Sequence, residues 1–551
     1  MLDRSRLSRR SFMQRSAAVA AGAAMAGWSG THTGKVAMAG SLWNPVYEDI
    51  QEATIADLQA RLTDGSLTAQ QLTGMYLARI AQLDQDGPRL NSVMMTNPDA
   101  LNIAINLDRE RAEGNVRGPL HGIPILLKDN IDTADQMPNT GGSIALANNF
   151  RTQDATIAAR LREAGAIVLG KTNLSEWANF RSTQSSSGWS GAGRQTKNPY
   201  VLTHNPCGSS SGSGAAASAN FAAAAIGTET DGSIVCPANA NGLVGIKPTV
   251  GLTSRAGVIP IAHSQDTIGP LARTVADAAA VLSAIAGPDP RDPMTAASSA
   301  QVKPDYTEFL DPDALAGARI GVPRTGGMWG YSPEADGIVE AAIQAMRDMG
   351  ATIVDPADIP TADQMASSNA EFTVLLYEFK ADLNDYLATV GPDVPVRSLA
   401  DLIDFNTANW QVEMPYFGQE IFEMAVDLGG LDDPAYLAAL AESHSLSREQ
   451  GLDAILDQYD LDALVAPTGS PAWPTDVING DHFLGASSGP AAMAGYPLVS
   501  VPAGDSFGLP VNVTFMGRAW SEPTLIALAY AFEQGTMHRR APRMLPSLDL
   551  P

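Results

Sequence analysis

The sequence predicts an α/β fold, and two observations carry that prediction. From residue 118 onward, short apolar runs ending in Gly, Lys or Asp alternate with segments of helical periodicity. The chain has 551 residues, 45% of them hydrophobic and 17% charged, which suits a large buried core and argues against disorder, a coiled coil or a collagen-like fibre.

Taken in order, residues 54–62 and 68–83 place apolar side chains at helical spacing (Ile55, Leu58, Leu62; then Leu72, Met75, Tyr76, Ile80). Thr68 with Gln71 forms a capping box, so an amphipathic helical pair comes first. The runs 123–127, 166–169, 222–226 and 243–246 are predicted strands. A Pro- and Ser-rich stretch, 287–304, reads as a long connection, after which 318–322, 335–349 and 352–355 read strand, helix, strand. Residues 364–460 are acidic and mostly helical in pattern, and the runs 463–465, 496–501 and 511–515 return strands to the sheet.

Sixty acidic residues against 35 basic ones give a net charge of −25, which repels phosphate backbones and anionic lipid heads. Nucleic acid is thereby excluded as a partner, and the acidity, spread along the chain, reads as a solvated surface. The only cysteines, Cys207 and Cys236, are too few for a disulfide framework or a four-ligand zinc site, and they read as buried, small apolar thiols.

The amino terminus runs Leu7-Ser8-Arg9-Arg10-Ser11-Phe12-Met13 into an Ala-rich stretch, 17–26, too short to span a bilayer. It resembles a twin-arginine export signal, with small residues permitting cleavage after Ala26 or Ala39. Residues 1–39 are therefore expected to be signal and linker. Residues 40–551 are expected to form one catalytic domain with a helical elaboration around 364–460. That domain is expected in the periplasm or secreted, exported already folded, with no need for oxidative folding and no membrane association once the signal is removed.

Several familiar motifs fail on inspection. Gly165 to Thr172 satisfies the spacing of a phosphate loop, but its four intervening residues, Ala-Ile-Val-Leu, read as the strand itself, with no room for a backbone cradle. The seven histidines are scattered with no metal-ligand spacing, so no metal and no cofactor is implied, and a Ser-His-Asp triad finds no support. Gly208-Ser-Ser-Ser-Gly212 is one residue too long for the nucleophile elbow of α/β-hydrolases.

The richest region, residues 206–249, is dense in Gly and Ser, yet 215–225 is too apolar for a linker. Its physical reading is a backbone packed so closely that only small side chains fit, with donors aimed at a small anionic atom. Together with His121-Gly-Ile-Pro-Ile-Leu-Leu-Lys128-Asp-Asn, Gly170-Lys-Thr-Asn-Leu-Ser-Glu-Trp177, Gly208-Ser-Ser-Ser-Gly, Thr230-Asp-Gly-Ser233-Ile, Gly242-Leu-Val-Gly-Ile-Lys-Pro248, Asp266-Thr-Ile-Gly-Pro270 and Ala494-Gly-Tyr-Pro497, it resembles the amidase signature family of serine hydrolases over residues 54 to 535 or so. The resemblance implies a large mixed β-sheet flanked by helices on both faces. It also implies a Ser-cisSer-Lys triad in which Ser233 is the nucleophile, Ser209 the bridge and Lys128 the base. The 24-residue spacing between the two serines agrees with the family. Trp177-Ala-Asn-Phe-Arg181 and Glu229-Thr-Asp-Gly-Ser-Ile-Val-Cys-Pro237 look most like the bacterial peptide amidase branch. The commoner pattern around the nucleophile is Asp-x-Gly-Gly-Ser-Ile-Arg, so Glu229, Asp231 and Val235 depart from it.

The chemistry suits these residues. A lysine serves as base only when neutral, and burial at the carboxyl end of a strand lowers its pKa while placing it where α/β sites gather. Ser209 can relay a proton between Ser233 and Lys128, and the turn Thr230-Asp231-Gly232-Ser233 would aim backbone N–H groups at an oxyanion. Ser210 and Ser211 are expected to satisfy backbone groups. Trp177, Asn179, Phe180 and Arg181 are expected to shape the substrate cleft, with a packing role equally open for Trp177, and Asp266 with Arg273, beside a Gly269-Pro270 turn, to form a structural ion pair. The expected activity is amide hydrolysis through an acyl-enzyme, with peptide C-terminal amides as substrate and a monomer or homodimer as the working unit. The alternatives are a general aliphatic or aryl amidase, an amidotransferase subunit, and a non-catalytic binding protein on the same fold.

Overall fold

The computed structural model describes residues 50–548, so the export signal read in residues 1–39 lies outside the described part. One mixed sheet of 11 strands organises it: β1 Val93–Thr96, β2 Pro124–Lys128, β3 Ile167–Thr172, β4 Ala224–Glu229, β5 Val244–Lys247, β6 Thr267–Ala272, β7 Arg319–Gly321, β8 Thr352–Val354, β9 Ala463–Pro467, β10 Leu498–Ser506 and β11 Leu509–Met516. Their spatial order is β1-β3-β2-β4-β6-β5-β10-β11-β9-β7-β8. β2 lies parallel between β3 and β4, β7 lies parallel between β9 and β8, and the remaining pairs are antiparallel. Every residue of β2 to β6, β9 and β11 is buried. Because side chains alternate between faces, helices must cover both, which is why these strands read as continuous apolar runs.

The leading helices form as the sequence predicts. Thr54 caps Ile55–Asp64 and Thr68 caps Ala69–Arg79, each through a reciprocal box, with Gln71 N to Thr68 Oγ1 at 3.1 Å and Thr68 N to Gln71 Oε1 at 2.9 Å. Gly165 to Thr172 contains β3, so the phosphate-loop spacing is indeed coincidental. The apolar stretch after Gly214 divides: a helix, Ser211–Ser218, stops before Asn220, which takes a left-handed φ of 59°, and the chain re-enters the sheet as β4. The small residues there are required by close approach, since a Cβ on Gly212 would lie 2.3 Å from the Ser92 carbonyl oxygen.

Two strands escape sequence reasoning. β1 is short and shows no alternation, and β6 contains Gly269-Pro270, which reads as a turn in the sequence. Pro270 is tolerated because pairing of β6 with β5 stops at Leu271, and a Cβ on Gly269 would lie 1.9 Å from the Ile246 carbonyl oxygen. β10 and β11 run longer than predicted and meet in a two-residue hairpin at Phe507 and Gly508, both at positive φ, as a right-twisted hairpin needs.

Residues 362–459 are mostly helical, led by Ala370–Ala388. They form a separate apolar cluster in which Phe379, Leu383, Leu402 and Phe422 pack with Trp177 and Phe180. No helix among the described residues is long and apolar enough to cross a membrane.

Candidate active site

β2 and β4 are parallel neighbours, so their carboxyl ends lie side by side, and Lys128, the last residue of β2, meets Thr228 near the end of β4. Lys128 is fully buried. Its Nζ lies 2.8 Å from Ser209 Oγ, 2.8 Å from Thr228 Oγ1 and 3.3 Å from the Thr228 carbonyl oxygen. Those three contacts match the three N–H groups of an ammonium. In the neutral amine, two N–H groups still donate to Thr228, and the lone pair accepts from the Ser209 hydroxyl. Burial lowers the Lys128 pKa to about 7, against the opposing pull of Asp266 and Glu229. Asn130 Nδ2 also donates to Thr228 Oγ1, at 3.0 Å, and fixes that hydroxyl.

The three consecutive serines, inseparable by local chemistry, are separated by the fold. The Gly208–Ser209 peptide is cis, and only Ser209 reaches Lys128. Ser210 Oγ donates to the Thr228 carbonyl at 3.1 Å, and Ser211 Oγ to the Cys207 carbonyl at 2.6 Å, so both satisfy backbone as expected. Ser175 N donates to the Ser209 carbonyl, and Ser210 N to the Ser233 carbonyl, both at 3.1 Å, so the Ser209 segment abuts the Ser233 turn. Ser233 follows Gly232, whose φ is 73°, and stands just before the helix Val235–Ala240. Ser233 is 7% exposed, and its hydroxyl makes no hydrogen bond among the described residues, which leaves it free for a reacting group.

Glu229 organises that turn, a role that sequence reasoning missed. Its buried carboxylate accepts from Gly232 N at 3.0 Å, Ile234 N at 2.7 Å and Val235 N at 2.9 Å. The amide of Gly232, expected in the oxyanion hole, is therefore already taken, because an anion inside the turn competes for the same donors. The amides of Thr230, Asp231 and Ser233 have no partner among the described residues. The signal was present in the sequence: a Glu at the end of an apolar strand, followed by a Gly-containing turn, invites its carboxylate to cap the turn.

Carboxylates stand near the Ser233 turn. Asp266 accepts from Thr230 Oγ1 at 2.6 Å and from the amides of Ile261 and Ala262, and burial raises its pKa to about 6. The expected ion pair with Arg273 does not form. Arg273 instead donates to the carbonyls of Ala53, Ala217 and Ala222, tying the helical cover to the sheet. Asp231 is exposed. It accepts from Ser488 Oγ at 2.5 Å, and its pKa is raised by burial. Glu371, on the helix Ala370–Ala388, is pushed up to about 8 by burial and by the charge of Asp231.

The residues expected to shape the substrate cleft make extensive contacts within the protein. Trp177 and Phe180 pack edge-on against Phe422 and Phe379, with centroids at 6.1 Å and 5.1 Å. Asn179 bonds to Ser187 and Ser185. Arg181 is fully buried, 3.1 Å from Glu176 and with its guanidinium 4.4 Å over the Phe417 ring. The apolar character of this segment binds the helical layer. Its backbone does reach the site: residues 177–179 all take left-handed φ, and Ala178 lines a small cavity with Asn130, Thr228, Thr230, Ile259 and Asp266.

Cys207 and Cys236 are not free thiols. They form a disulfide with a Cα–Cα distance of 5.9 Å, because the fold brings together two segments 29 residues apart in sequence. Among the described residues one group could offer metal ligands, His263 with Glu378 and Asp382. Both ring nitrogens already face carboxylates, Nδ1 at 2.9 Å from Asp382 and Nε2 at 3.4 Å from Glu378. That is the geometry of an ion pair joining the loop before β6 to the helical layer.

Comparison with known proteins fits this geometry. The Amidase family profile matches residues 71–526. A probable amidase of Arabidopsis thaliana is 42% identical over 504 residues, 90% of this chain and 92% of its own length. The crystal structure of native peptide amidase from Stenotrophomonas maltophilia is 54% identical, with a TM-score of 0.85 over 91% of this chain and 99% of that one. A glutamyl-tRNA(Gln) amidotransferase subunit of Moorella thermoacetica is 36% identical, over 89% of this chain and 98% of its own length.

Proposed function

The chain belongs to the amidase family, and from that premise we propose that it hydrolyses carboxylic amides through an acyl-enzyme on Ser233, with the C-terminal amides of peptides as its substrate class. The observation that carries the reading is the 2.8 Å contact between Lys128 and Ser209 in a buried shell whose contacts hold hydroxyls and a carbonyl but no carboxylate. Such a lysine, with a pKa near 7, is neutral in a large fraction at neutral pH and can take a proton.

The steps balance along the relay. Ser233, turning its free hydroxyl to Ser209 as substrate binds, passes its proton to Ser209, which passes its own to Lys128, and Ser233 Oγ forms a bond to the carbonyl carbon. The amides of Thr230, Asp231 and Ser233 receive the oxyanion. As the carbon–nitrogen bond breaks, the lysine proton returns by the same route and ammonia departs. Water, deprotonated along the same path, then attacks the acyl carbon, the bond to Ser233 Oγ breaks, and the lysine proton returns through Ser209 to Ser233 as the carboxylic acid leaves.

The likeness to the Stenotrophomonas peptide amidase, above that to the Moorella amidotransferase protein, supports peptide amides over transfer RNA charging. The net charge of −25 points the same way. The test is ammonia release from an N-blocked dipeptide amide, with wild type beside Ser233→Ala. Release by wild type alone is expected, whereas turnover by the variant would remove Ser233 from its role. Exclusive activity on small aliphatic or aryl amides would replace the substrate class.

The proposal extends to export by the twin-arginine route into the periplasm or beyond. Arg9-Arg10 supports it, as does the Cys207–Cys236 disulfide, since such bonds persist in oxidising compartments. That bond also corrects the expectation that the chain needs no oxidation. Replacing Arg9 and Arg10 with Lys should hold the protein in the cytoplasm on fractionation, and unchanged export would refute the route.

A further inference from the structure

The disulfide sits at an unusual place in the fold. Cys207 immediately precedes the cis Gly208–Ser209 peptide, and Cys236 lies three residues after Ser233. It is thus a covalent link between the segment that carries the relay hydroxyl and the helix that follows the turn carrying the free one. The two cysteines are 4% and 5% exposed, in a small apolar cluster with Tyr200, Ala240, Ala472 and Trp473.

Each end is also held by hydrogen bonds. Cys207 N donates to Asn205 Oδ1 at 2.8 Å, while the Cys207 carbonyl accepts from Ser211 Oγ at 2.6 Å. The residue takes a left-handed φ of 57°, which a non-glycine residue adopts only where its surroundings enforce it. On the other side, Cys236 N donates to the Gly232 carbonyl at 2.8 Å, so a shift of Cys236 moves the turn that presents Ser233. Across the junction, Ser210 N donates to the Ser233 carbonyl, and Asn241 Nδ2 bridges the Pro206 carbonyl at 2.9 Å and the Pro237 carbonyl at 2.7 Å. Misplacing reacting groups by about 1 Å costs on the order of 100-fold in rate, and hydrogen bonds, each of modest net strength, hold that tolerance less firmly than a covalent bond beside them.

We propose that the Cys207–Cys236 disulfide is a positioning element of the Lys128–Ser209–Ser233 relay, so that the reduced enzyme remains folded and binds substrate but acylates slowly. The inference rests on the amide-hydrolase reading above. Reduction by dithiothreitol takes two electrons and two protons into the bond, yields two thiols and leaves the reagent as its cyclic disulfide. The cross-link then opens while the remaining contacts of both segments persist.

The test compares the oxidised protein, the dithiothreitol-reduced protein and Cys207→Ala/Cys236→Ala. Two free thiols per reduced chain, counted by a thiol reagent, establish the state, and near-UV circular dichroism at the assay temperature reports the fold. The expected result is a fall of about 10- to 100-fold in kcat and in the rate of fluorophosphonate labelling, with KM within about twofold. Reoxidation should restore the wild type, and the double variant should be equally slow and indifferent to dithiothreitol. Retention of kcat by a chain with two free thiols would overturn the proposal. So would loss of the near-UV signal in both the reduced protein and the double variant, because the bond would then hold the fold and not the relay. Absence of ammonia release by the oxidised enzyme would instead refute the amidase reading itself.

Discussion

Two lysines end buried strands of the same sheet and behave differently. Lys128 closes β2 and Lys247 closes β5; both are fully buried, and burial lowers both, to about 7 and about 8. Lys247 Nζ lies 2.7 Å from the Tyr496 carbonyl oxygen, with Glu229, Glu522 and Asp231 as the charges that pull its pKa back up. Lys128 touches the Ser209 and Thr228 hydroxyls. A carbonyl can only accept a hydrogen bond, whereas a hydroxyl can also deliver a proton. Burial therefore makes a lysine easy to neutralise, and the partner decides whether it is a base or a strut. Lys171, the third fully buried lysine, also bonds to a carbonyl, that of Ile131, and belongs with Lys247.

That contrast can be broken most sharply by removing each amine. Lys128→Ala should lower kcat/KM by about 10³- to 10⁴-fold across the pH range in a folded protein, measured as ammonia release. A mere displacement of the pH profile would return Lys128 to a supporting role. Lys247→Met should act on stability first. It leaves Glu229 and Glu522 without their cation, costing about 3–5 kcal/mol in urea unfolding, while kcat of the folded fraction falls by no more than about tenfold.

The pH dependence of stability sharpens the same point. Lys128 has a pKa near 7 in the folded chain and 10.5 as its reference value, so between these values the unfolded chain holds more protons. Its contribution to stability thus rises with pH across that window. Comparing wild type with Lys128→Met at pH 7 and pH 9 should show an excess gain of about 2–3 kcal/mol in the wild type. An identical gain in both would mean that the lysine is already charged when buried.

The smallest effect is expected at Thr228. Thr228→Val removes an acceptor from Lys128 and from Asn130. The rate should fall about tenfold, and the acid limb of kcat/KM, centred near pH 7 in wild type, should move to lower pH, because the ammonium loses a stabilising partner. A shift to higher pH would contradict the hydrogen-bond assignment.

Much of the fold and of the site is legible in the sequence. Lys128 announces itself as a charge at the end of an apolar run, and the strand pattern locates most of the sheet because buried parallel strands leave long apolar signatures. The three serines cannot be ranked locally, since the group that selects Ser209 lies 81 residues away in sequence. The disulfide is hidden for the same reason: two cysteines say nothing of their distance until β4 brings their segments together. The packing of Trp177 and Phe180 is not legible locally because aromatic residues near a motif suit a cleft and a core equally well, and their contacts with the helical layer over residues 370–426 form only in the fold. The bond of the Gly232 amide to Glu229 is not legible locally because the carboxylate reaches over its own turn only once the turn is formed.

The two borders of the sheet carry a consequence for concentrated solutions. β1 has four residues and β8 three, so the long sheet ends in little unpaired backbone on either side. Strands that short offer an arriving chain few ladder positions to extend. The molecule can thus hold 11 strands together without presenting a template along which neighbouring molecules would stack into fibres.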